Sequence, residues 1–337
     1  MEEDSGALIG LDIGGQSIKG LRLERDGRAS RRGGRATPRE EGRDAVLDAA
    51  RSLLGELLEP GPAASVGVGT PGGADKAGRI SGLAANIPNW SGTPLGLEMS
   101  KAARAPAFVR NDGNLAAFGE WAVRASVPGE ASRAFLFVGL GTGIGGGYVE
   151  DGNILSGVDD KALEIGHLIV HPDGRKCSCG RSGCVEAYAS GPSIGRLAME
   201  LSPGYDSPLA RAVRGGLRLN AREVYEAFAE DDELAKAAHA VAVEALSRAI
   251  GAALAFLAPD TVVLGGGVLA GARSLVSEVA SMSPNFVFKE ASEGVRFEEA
   301  LLGTEAGLIG ASLYGAAQVL PREDFLELAG KARPPKD

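Results

Sequence analysis

The sequence predicts an α/β fold in two domains, sheets with helices packed against them. One observation is a partial repeat. Strand, glycine loop, strand, Asp-Gly turn and strand occur near residue 8 and again near residue 134. A second is the alternation of short apolar runs with stretches of helical spacing along the chain. A third is the presence of 50 glycines in 337 residues. That is about twice the ordinary ~7 % share, and many cluster between apolar runs, where backbone must approach a ligand closely.

Residues 7–13 (Ala-Leu-Ile-Gly-Leu-Asp-Ile) form the first strand and stop at Gly14-Gly15. Ile18–Glu24 is a second strand, and Asp26-Gly27 turns the chain into a third. Val46, Leu47, Leu53, Leu54, Leu57 and Leu58 have helical spacing over 43–58, closed by Pro60-Gly61. Ser65–Gly69 is a strand ending in Thr70-Pro71-Gly72-Gly73. Residues 106–110 form another, which stops at Asn111-Asp112 before a helix over 114–124. The repeat opens with the strand Ala134–Gly139, a glycine loop over Gly141–Gly147, then Tyr148-Val149 and the turn Asp151-Gly152. An alanine-rich helix over 231–257 ends at Pro259-Asp260, ahead of the buried strand Thr261–Leu264 and Gly265-Gly266-Gly267. A last helix covers about 306–319, and the Arg-Pro-Pro-Lys-Asp tail is frayed. Two domains are expected: residues 1–112, completed by a C-terminal helix at about 305–320, and residues 113–304.

The chain is 44 % hydrophobic and 23 % charged, which is ordinary for a globular protein, and it is long enough for two cores. A net charge of −9 argues against general affinity for nucleic acid or an anionic membrane. The acidic start, Met-Glu-Glu-Asp-Ser-Gly, lacks the basic residues of a secretory signal. No uninterrupted apolar segment reaches the ~20 residues of a membrane span. A cytoplasmic protein is expected, whose cysteines are not disulfide-bonded by default.

Asp12–Lys19, Gly139–Gly147 and Gly265–Gly267 each follow an apolar strand. A glycine loop at a strand end lets several backbone N–H groups point at one anion. Gly141-Thr-Gly-Ile-Gly-Gly146 fits a dinucleotide fingerprint, but a strand and not a helix follows it, so that reading fails. No P-loop pattern occurs either. A single such loop is as readily a hairpin turn. Three together, with Asp12 placed to hold Mg²⁺ through water, favour nucleotide phosphates.

Cys177-Ser-Cys179-Gly-Arg-Ser-Gly-Cys184 holds every cysteine of the chain. Thiolates this close can converge on one tetrahedral Zn²⁺. A fourth ligand is needed, and spacing alone does not choose between His167 and His171, which would share one side of a strand.

These motifs resemble known proteins. Asp12-Ile-Gly-Gly-Gln-Ser-Ile-Lys19, Leu140-Gly-Thr-Gly-Ile-Gly-Gly-Gly147 and Leu264-Gly-Gly-Gly267 are similar to the two phosphate loops and the adenosine loop of the hexokinase and actin superfamily. That actin-like (ribonuclease H-like) ATPase fold has duplicated domains with ATP in an interdomain cleft. Glu164-Ile-Gly-His167, Pro172-Asp-Gly and Cys177-x-Cys-Gly-x-x-Gly-Cys184-x-Glu186, continuing through Gly191, closely resemble the ROK family of sugar kinases and repressors. With the loops, the likeness spans about residues 8 to 270.

The resemblance implies Mg²⁺–ATP on Asp12, Gly14, Gly15, Gln16, Ser17, Lys19, Gly141, Thr142, Gly143, Gly265, Gly266 and Gly267. Gln16 stands where the family usually has Thr or Ser, so an amide replaces a hydroxyl near the γ-phosphate. It selects His167, with Cys177, Cys179 and Cys184, for a structural zinc, and leaves His171 as a surface residue. From position alone, Asp112 could simply begin the following helix as its cap. In the family, the Asp of this pair is the base, which implies Asp112 towards a sugar 6-hydroxyl. Asn86, Asn111, Glu164, His167 and Glu186 match residues that hold sugar hydroxyls.

The expected function is an ATP-dependent hexose kinase of carbohydrate metabolism, a glucokinase first. N-acetylmannosamine, fructose and allose are alternative acceptors, and polyphosphate an alternative donor. A homodimer or homotetramer is expected, with a small sugar and neither nucleic acid nor membrane as partner. A sugar-responsive repressor would carry a helix-turn-helix ahead of the first strand, and that strand starts near residue 8. A catalytically impaired sugar-binding relative would rest on Gln16 alone. Zinc loss is expected to damage sugar affinity before ATP binding.

Overall fold

A computed structural model describes residues 6–82 and 87–332. Asn86 and the tail at 333–337 lie outside the described residues. In chain order come β1 (Ala7–Ile13), β2 (Ser17–Leu23), β3 (Ala29–Ala36), α1 (Arg43–Leu58), β4 (Ala63–Thr70), β5 (Gly73–Ala74), β6 (Ile80–Ser81), α2 (Leu95–Ala103), β7 (Ala107–Asn111) and α3 (Asp112–Ala125). The second half runs β8 (Ala134–Leu140), β9 (Ile144–Glu150), β10 (Asn153–Ile154), α4 (Glu186–Ala189), α5 (Gly191–Leu201), α6 (Pro208–Arg214), α7 (Ala221–Ala229), α8 (Glu233–Leu257), β11 (Thr261–Gly265), α9 (Ser274–Met282), β12 (Arg296–Glu299), α10 (Ala306–Ala317) and α11 (Arg322–Lys331).

The chain divides into two compact units. The first holds residues 1–133, 147–163 and 304–337, and the second 134–146 and 164–303. The boundary expected at 112/113 falls on the first turn of α3, which belongs wholly to the first unit. Residues 147–163 return to that unit as well. The two five-stranded sheets repeat one plan, β3-β2-β1-β4-β7 and β10-β9-β8-β11-β12.

In the first unit, tight turns after β1 and β2 give antiparallel pairs. Helix-bearing connections make β4 parallel to β1 and β7 parallel to β4. One face of the sheet is covered by α1, which buries Val46, Leu47, Leu53, Leu54 and Leu57 in a core with Ile9, Leu11, Val66, Val68, Trp90 and Met99. Each such leucine contributes roughly 1.5–3 kcal/mol by burial. The other face meets α10, which comes so close that a Cβ at Gly67 would stand 1.8 Å from the Ala311 carbonyl oxygen. That contact holds α10 on β4 and explains why a segment near residue 310 belongs to the N-terminal unit.

In the second unit, β8, β11 and β12 are parallel, with Gly265 beside Gly139 and Leu264 beside Val138. Helix α8 is long and apolar enough to cross a membrane by composition. It buries Leu234, Ala238, Val243, Leu246, Ile250 and Leu254, and packs on α4, α5, α7 and α9. That is the pattern of a core helix. The glycine loop expected over Gly141–Gly147 is shorter than the sequence suggested. The chain turns only at 141–143, and Ile144 already begins β9.

Candidate active site

In the first unit, three neighbouring parallel strands end together. Asp12 pairs with Gly69 in register, and Thr70 with Asn111. Carboxyl ends of parallel strands are where α/β sheets bind ligands. The Asp12 carboxylate faces Gly69 and Gly307, its oxygens 3.6 Å from where a Cβ would stand on either glycine. The same Gly307 position is 3.8 Å from the Asp112 backbone oxygen. Burial pushes the Asp12 carboxyl above its usual range, against the pull of Lys19, its cross-strand neighbour. Gly14 N–H donates to Ser17 O at 2.9 Å and the Gln16 carbonyl accepts from Thr37 N–H at 3.0 Å, which fixes the first loop. The Gln16 side chain itself is exposed, as is Lys19, while Gly15 is half-buried.

Asn111 caps α3. Its side-chain oxygen accepts from Gly113 and Asn114 N–H at 2.9 and 3.2 Å. Its amide nitrogen donates to Gly72 O at 3.3 Å. Asp112 is therefore the first residue of the helix, where backbone N–H groups and the helix dipole favour a carboxylate. It is half-buried, and one of its oxygens accepts from Gly113 N–H at 2.9 Å. Trp90 donates its indole N–H to Thr70 Oγ1 at 2.8 Å, pinning the chain that leads away from 83–86.

Asp160 was not singled out in the sequence. It is 2 % exposed and accepts from Asn111 N–H at 2.6 Å and Asn114 Nδ2 at 3.1 Å, with Arg110 at 3.5 Å. Burial raises its pKa, opposed by these donors.

In the second unit the other two glycine loops end adjacent strands β8 and β11. Gly141 N–H donates to Gly143 O at 2.9 Å, and Gly191 N–H to Gly141 O at 2.8 Å. Glu186 Oε2 accepts from Ile144 N–H at 3.0 Å. A Cβ on Gly143 would stand 2.5 Å from that oxygen, so a side chain there would make the Glu186 carboxylate shift. Thr142 is exposed. Gly266 has φ +93°, and a Cβ there would lie 2.3 Å from Leu140 O. Gly267 faces open space. Gly265 is packed on Phe137 and Ala300.

The cysteines form a knuckle held by Cys177 N–H donating to Arg181 O at 2.9 Å and Gly180 N–H to Cys177 O at 3.1 Å. The three thiols and one nitrogen of His167 lie within 4.8 Å of one another. His167 Nδ1 is 3.7 Å from Cys177 Sγ, and Cys179 Sγ is 3.7 Å from Cys184 Sγ. Donors about 2.0–2.3 Å from one tetrahedral ion stand roughly this far apart, so the set fits zinc. All three cysteines are unpaired thiols. Burial, with hydrogen bonds and charge from Cys179 and Cys177, pushes Cys184 up to about 12. A backbone hydrogen bond at Arg181 leads the causes that hold Cys179 below its usual value.

His171 turns away from the cluster. It sits half-buried, its ring 4.8 Å from that of Tyr188 and 3.5 Å from Glu244. It was expected at the surface, and the aromatic contact explains the difference. His167 closes a short 3₁₀ turn, Ile165–His167, so the same-side strand argument for the two histidines does not apply. Glu164 and His167 are exposed, whereas Glu186 is half-buried between Ile144 and Ser178, whose hydroxyl donates to Oε1 at 3.0 Å.

The ROK family model matches residues 8–317. A glucokinase of Thermotoga maritima is 30 % identical over 306 residues, covering 90 % of this chain and 96 % of the relative. An N-acetylmannosamine kinase of Haemophilus influenzae is 30 % identical over 311 residues, 91 % and 94 % of the two chains. Among solved structures, a ROK family glucokinase from Streptomyces griseus in complex with glucose and AMPPNP superposes with a TM-score of 0.76 at 27 % identity, covering 93 % of this chain and 100 % of that one. The chain belongs to the ROK family.

Proposed function

We propose that this chain is an ATP-dependent hexose kinase whose first acceptor is glucose, with Asp112 taking the proton of the sugar 6-hydroxyl. The chain is a sugar kinase of its family. The observation that carries the reading is the shared end of β1, β4 and β7, which presents the Asp12 carboxylate and the Asn111-Asp112 turn from one rigid edge. A base must be held within hydrogen-bond reach of the attacking oxygen, and the N-cap of α3 fixes the backbone of Asp112.

Asp12 is the residue for water-mediated Mg²⁺, which screens phosphate charge when bound. Gly14, Gly15, Gln16, Ser17 and Lys19 of the first unit are its proposed phosphate loop. Gly141, Thr142, Gly143 and Gly265–Gly267 are the proposed nucleotide loops of the second. Asn111 has one amide proton beyond its bond to Gly72 to offer a sugar hydroxyl. With Nδ1 turned to the thiols, His167 keeps Nε2 for a hydroxyl, which reconciles its two expected roles. Glu164 is a further hydroxyl ligand. Glu186 has both oxygens engaged, so its part is to hold the loop at Ile144 as well as to reach a sugar.

A structural zinc on His167, Cys177, Cys179 and Cys184 braces this region. Unpaired thiols suit a reducing cytoplasm. Exposed Phe256 and Phe288 are apolar surface that a homodimer or homotetramer would cover.

N-acetylmannosamine is the second acceptor to consider, given the Haemophilus relative. The test is a coupled ADP-release assay with Mg²⁺–ATP over glucose, N-acetylmannosamine, fructose and allose. Glucose is expected to give the highest kcat/KM. Turnover with none of them would sink the kinase reading, and a preference for N-acetylmannosamine would replace the acceptor.

A further inference from the structure

We propose that Asp160 is a positioning residue for phosphoryl transfer, holding the Asn111 amide and so the turn that aims Asp112. The proposal rests on the reading of Asp112 as the base.

Three donors from one short segment converge on this carboxylate. Oδ2 accepts from the Asn111 backbone N–H at 2.6 Å. Oδ1 accepts from Asn114 Nδ2 at 3.1 Å and lies 3.5 Å from Arg110 Nη1. They flank Asp112 in the chain. The Asn111 N–H is the donor next to the peptide that carries Asp112, so its bond limits how that peptide can rotate. Asn114 and Arg110 pin the same segment from the helix and from the strand. Arg110 is itself fixed, its Nε donating to Tyr314 Oη at 2.8 Å.

The loop that carries Asp160 is held in turn. Asp159 O accepts from Ser81 Oγ at 3.2 Å, and it lies so close to Gly73 that a Cβ there would be 2.0 Å away. Asp159 and Asp160 both have left-handed φ, +52° and +61°. Such a conformation persists where surroundings over-determine it, and strained residues of this kind gather at functional sites. A solvated acidic loop would need none of this. A carboxylate taken fully out of water costs several kcal/mol unless donors replace the water. Here the donors Arg110, Asn111 and Asn114 belong to the segment 110–114, which bears the proposed base.

The test uses Asp160→Gly, which keeps the backbone conformation open to φ +61°, and Asp160→Asn, which keeps the shape and can still accept one N–H. Purified full chains are compared by steady-state kinetics with glucose and by hydrogen exchange of peptides over 108–116. Asp160→Gly is expected to lower kcat about 10- to 100-fold, the scale of a misplaced catalytic group, with the glucose KM within about threefold. Exchange over 108–116 is expected to quicken at least about tenfold. Asp160→Asn is expected between the variant and the wild type on both measures, and it carries the comparison if Asp160→Gly does not fold. Wild-type kcat with wild-type exchange would overturn the proposal. So would a rise in glucose KM with kcat unchanged, which would make Asp160 a binding residue. Asp112→Asn runs in parallel: wild-type turnover there removes the base reading, whereas a failure of the Asp160 variants with Asp112 shown essential removes only this inference.

Discussion

Glu186 joins Ile144 at the second glycine loop to the cysteine knuckle. Its Oε2 accepts from the Ile144 N–H at 3.0 Å, and its Oε1 accepts from the Ser178 hydroxyl at 3.0 Å and lies 3.8 Å from Cys177 Sγ. One carboxylate thus ties the proposed nucleotide loop to the proposed zinc site. Glu186→Ala would leave the Ile144 N–H without its acceptor, a loss of about 1–3 kcal/mol if water does not replace it. The expected outcome is an ATP KM raised several-fold, with the glucose KM also raised. An ATP KM equal to wild type would show that the bond does not hold the loop.

The same link changes what zinc removal should do. From sequence, sugar affinity was expected to fail before ATP binding. With Glu186 bridging knuckle and loop, both should weaken together. Purified protein is expected to carry about one zinc per chain, and Cys177→Ser to lose it along with several degrees of Tm. Elemental analysis and thermal melts with and without chelator check this. Full stability and unchanged KM values in metal-free protein would end the brace reading.

Asp112→Asn should separate chemistry from structure. The Asn111 cap survives, because its partners are the N–H groups of Gly113 and Asn114. The variant is expected to fold and bind glucose while kcat falls by roughly 10²–10⁴, the usual worth of a general base. Stopped turnover with retained ligand-induced stabilisation is the signature.

Asp12 gives a stability test with a definite sign. Burial raises its folded pKa above the ordinary carboxylate range, with Lys19 opposing. The folded chain therefore holds a proton where the unfolded chain has lost it. Stability from this group falls as pH rises from ~3.9 through the raised value, and the penalty remains above it. Asp12→Asn should raise the Tm of the nucleotide-free chain at pH 7 by about 2 °C, with the gain gone below pH ~3.9. Kinase activity should collapse at the same time if Asp12 organises Mg²⁺. A lower Tm at pH 7 would mean the carboxylate is already compensated.

Much of this architecture is legible in the residues. The strand Ala7–Ile13 and the helix Arg43–Leu58 follow from apolar spacing, whereas the cap of α3 falls on Asn111, one residue before the Asp112 expected there. The cysteine spacing was enough to anticipate the cluster, although its histidine rested on resemblance. What was missed depends on contacts distant in sequence. Gly147 looked like part of a loop, but it lies in β9, where a Cβ would meet the Ala117 Cβ at 2.6 Å and Gly113 O at 2.9 Å. A glycine kept for close approach to a helix looks the same in sequence as one kept for a turn. Asp160 was hidden for a similar reason: its donors lie 46–50 residues away. Glu186 showed its resemblance but not its bond to Ile144.

The third glycine loop separates two demands that look identical in Gly265-Gly266-Gly267. Gly266 has φ +93° and no room for a Cβ, which would fall 2.3 Å from Leu140 O, 2.7 Å from Leu140 N and 2.8 Å from Leu140 C. All three are backbone atoms of the strand that leads into Gly141, so they cannot swing aside. Gly267 has nothing within 4 Å of a Cβ. Gly266→Ala should therefore cost about 3 kcal/mol or more, from strain and overlap together, and should disturb the Gly141–Gly143 turn through Leu140. Gly267→Ala should leave the Tm within about 1 °C, since surface changes of this kind stay within ±0.5 kcal/mol. If the space over Gly267 is where a nucleotide lies, the added methyl raises the ATP KM with glucose KM unchanged. Equal stability of the two variants would refute the packing argument, and an unchanged ATP KM in Gly267→Ala would move the nucleotide away from this loop.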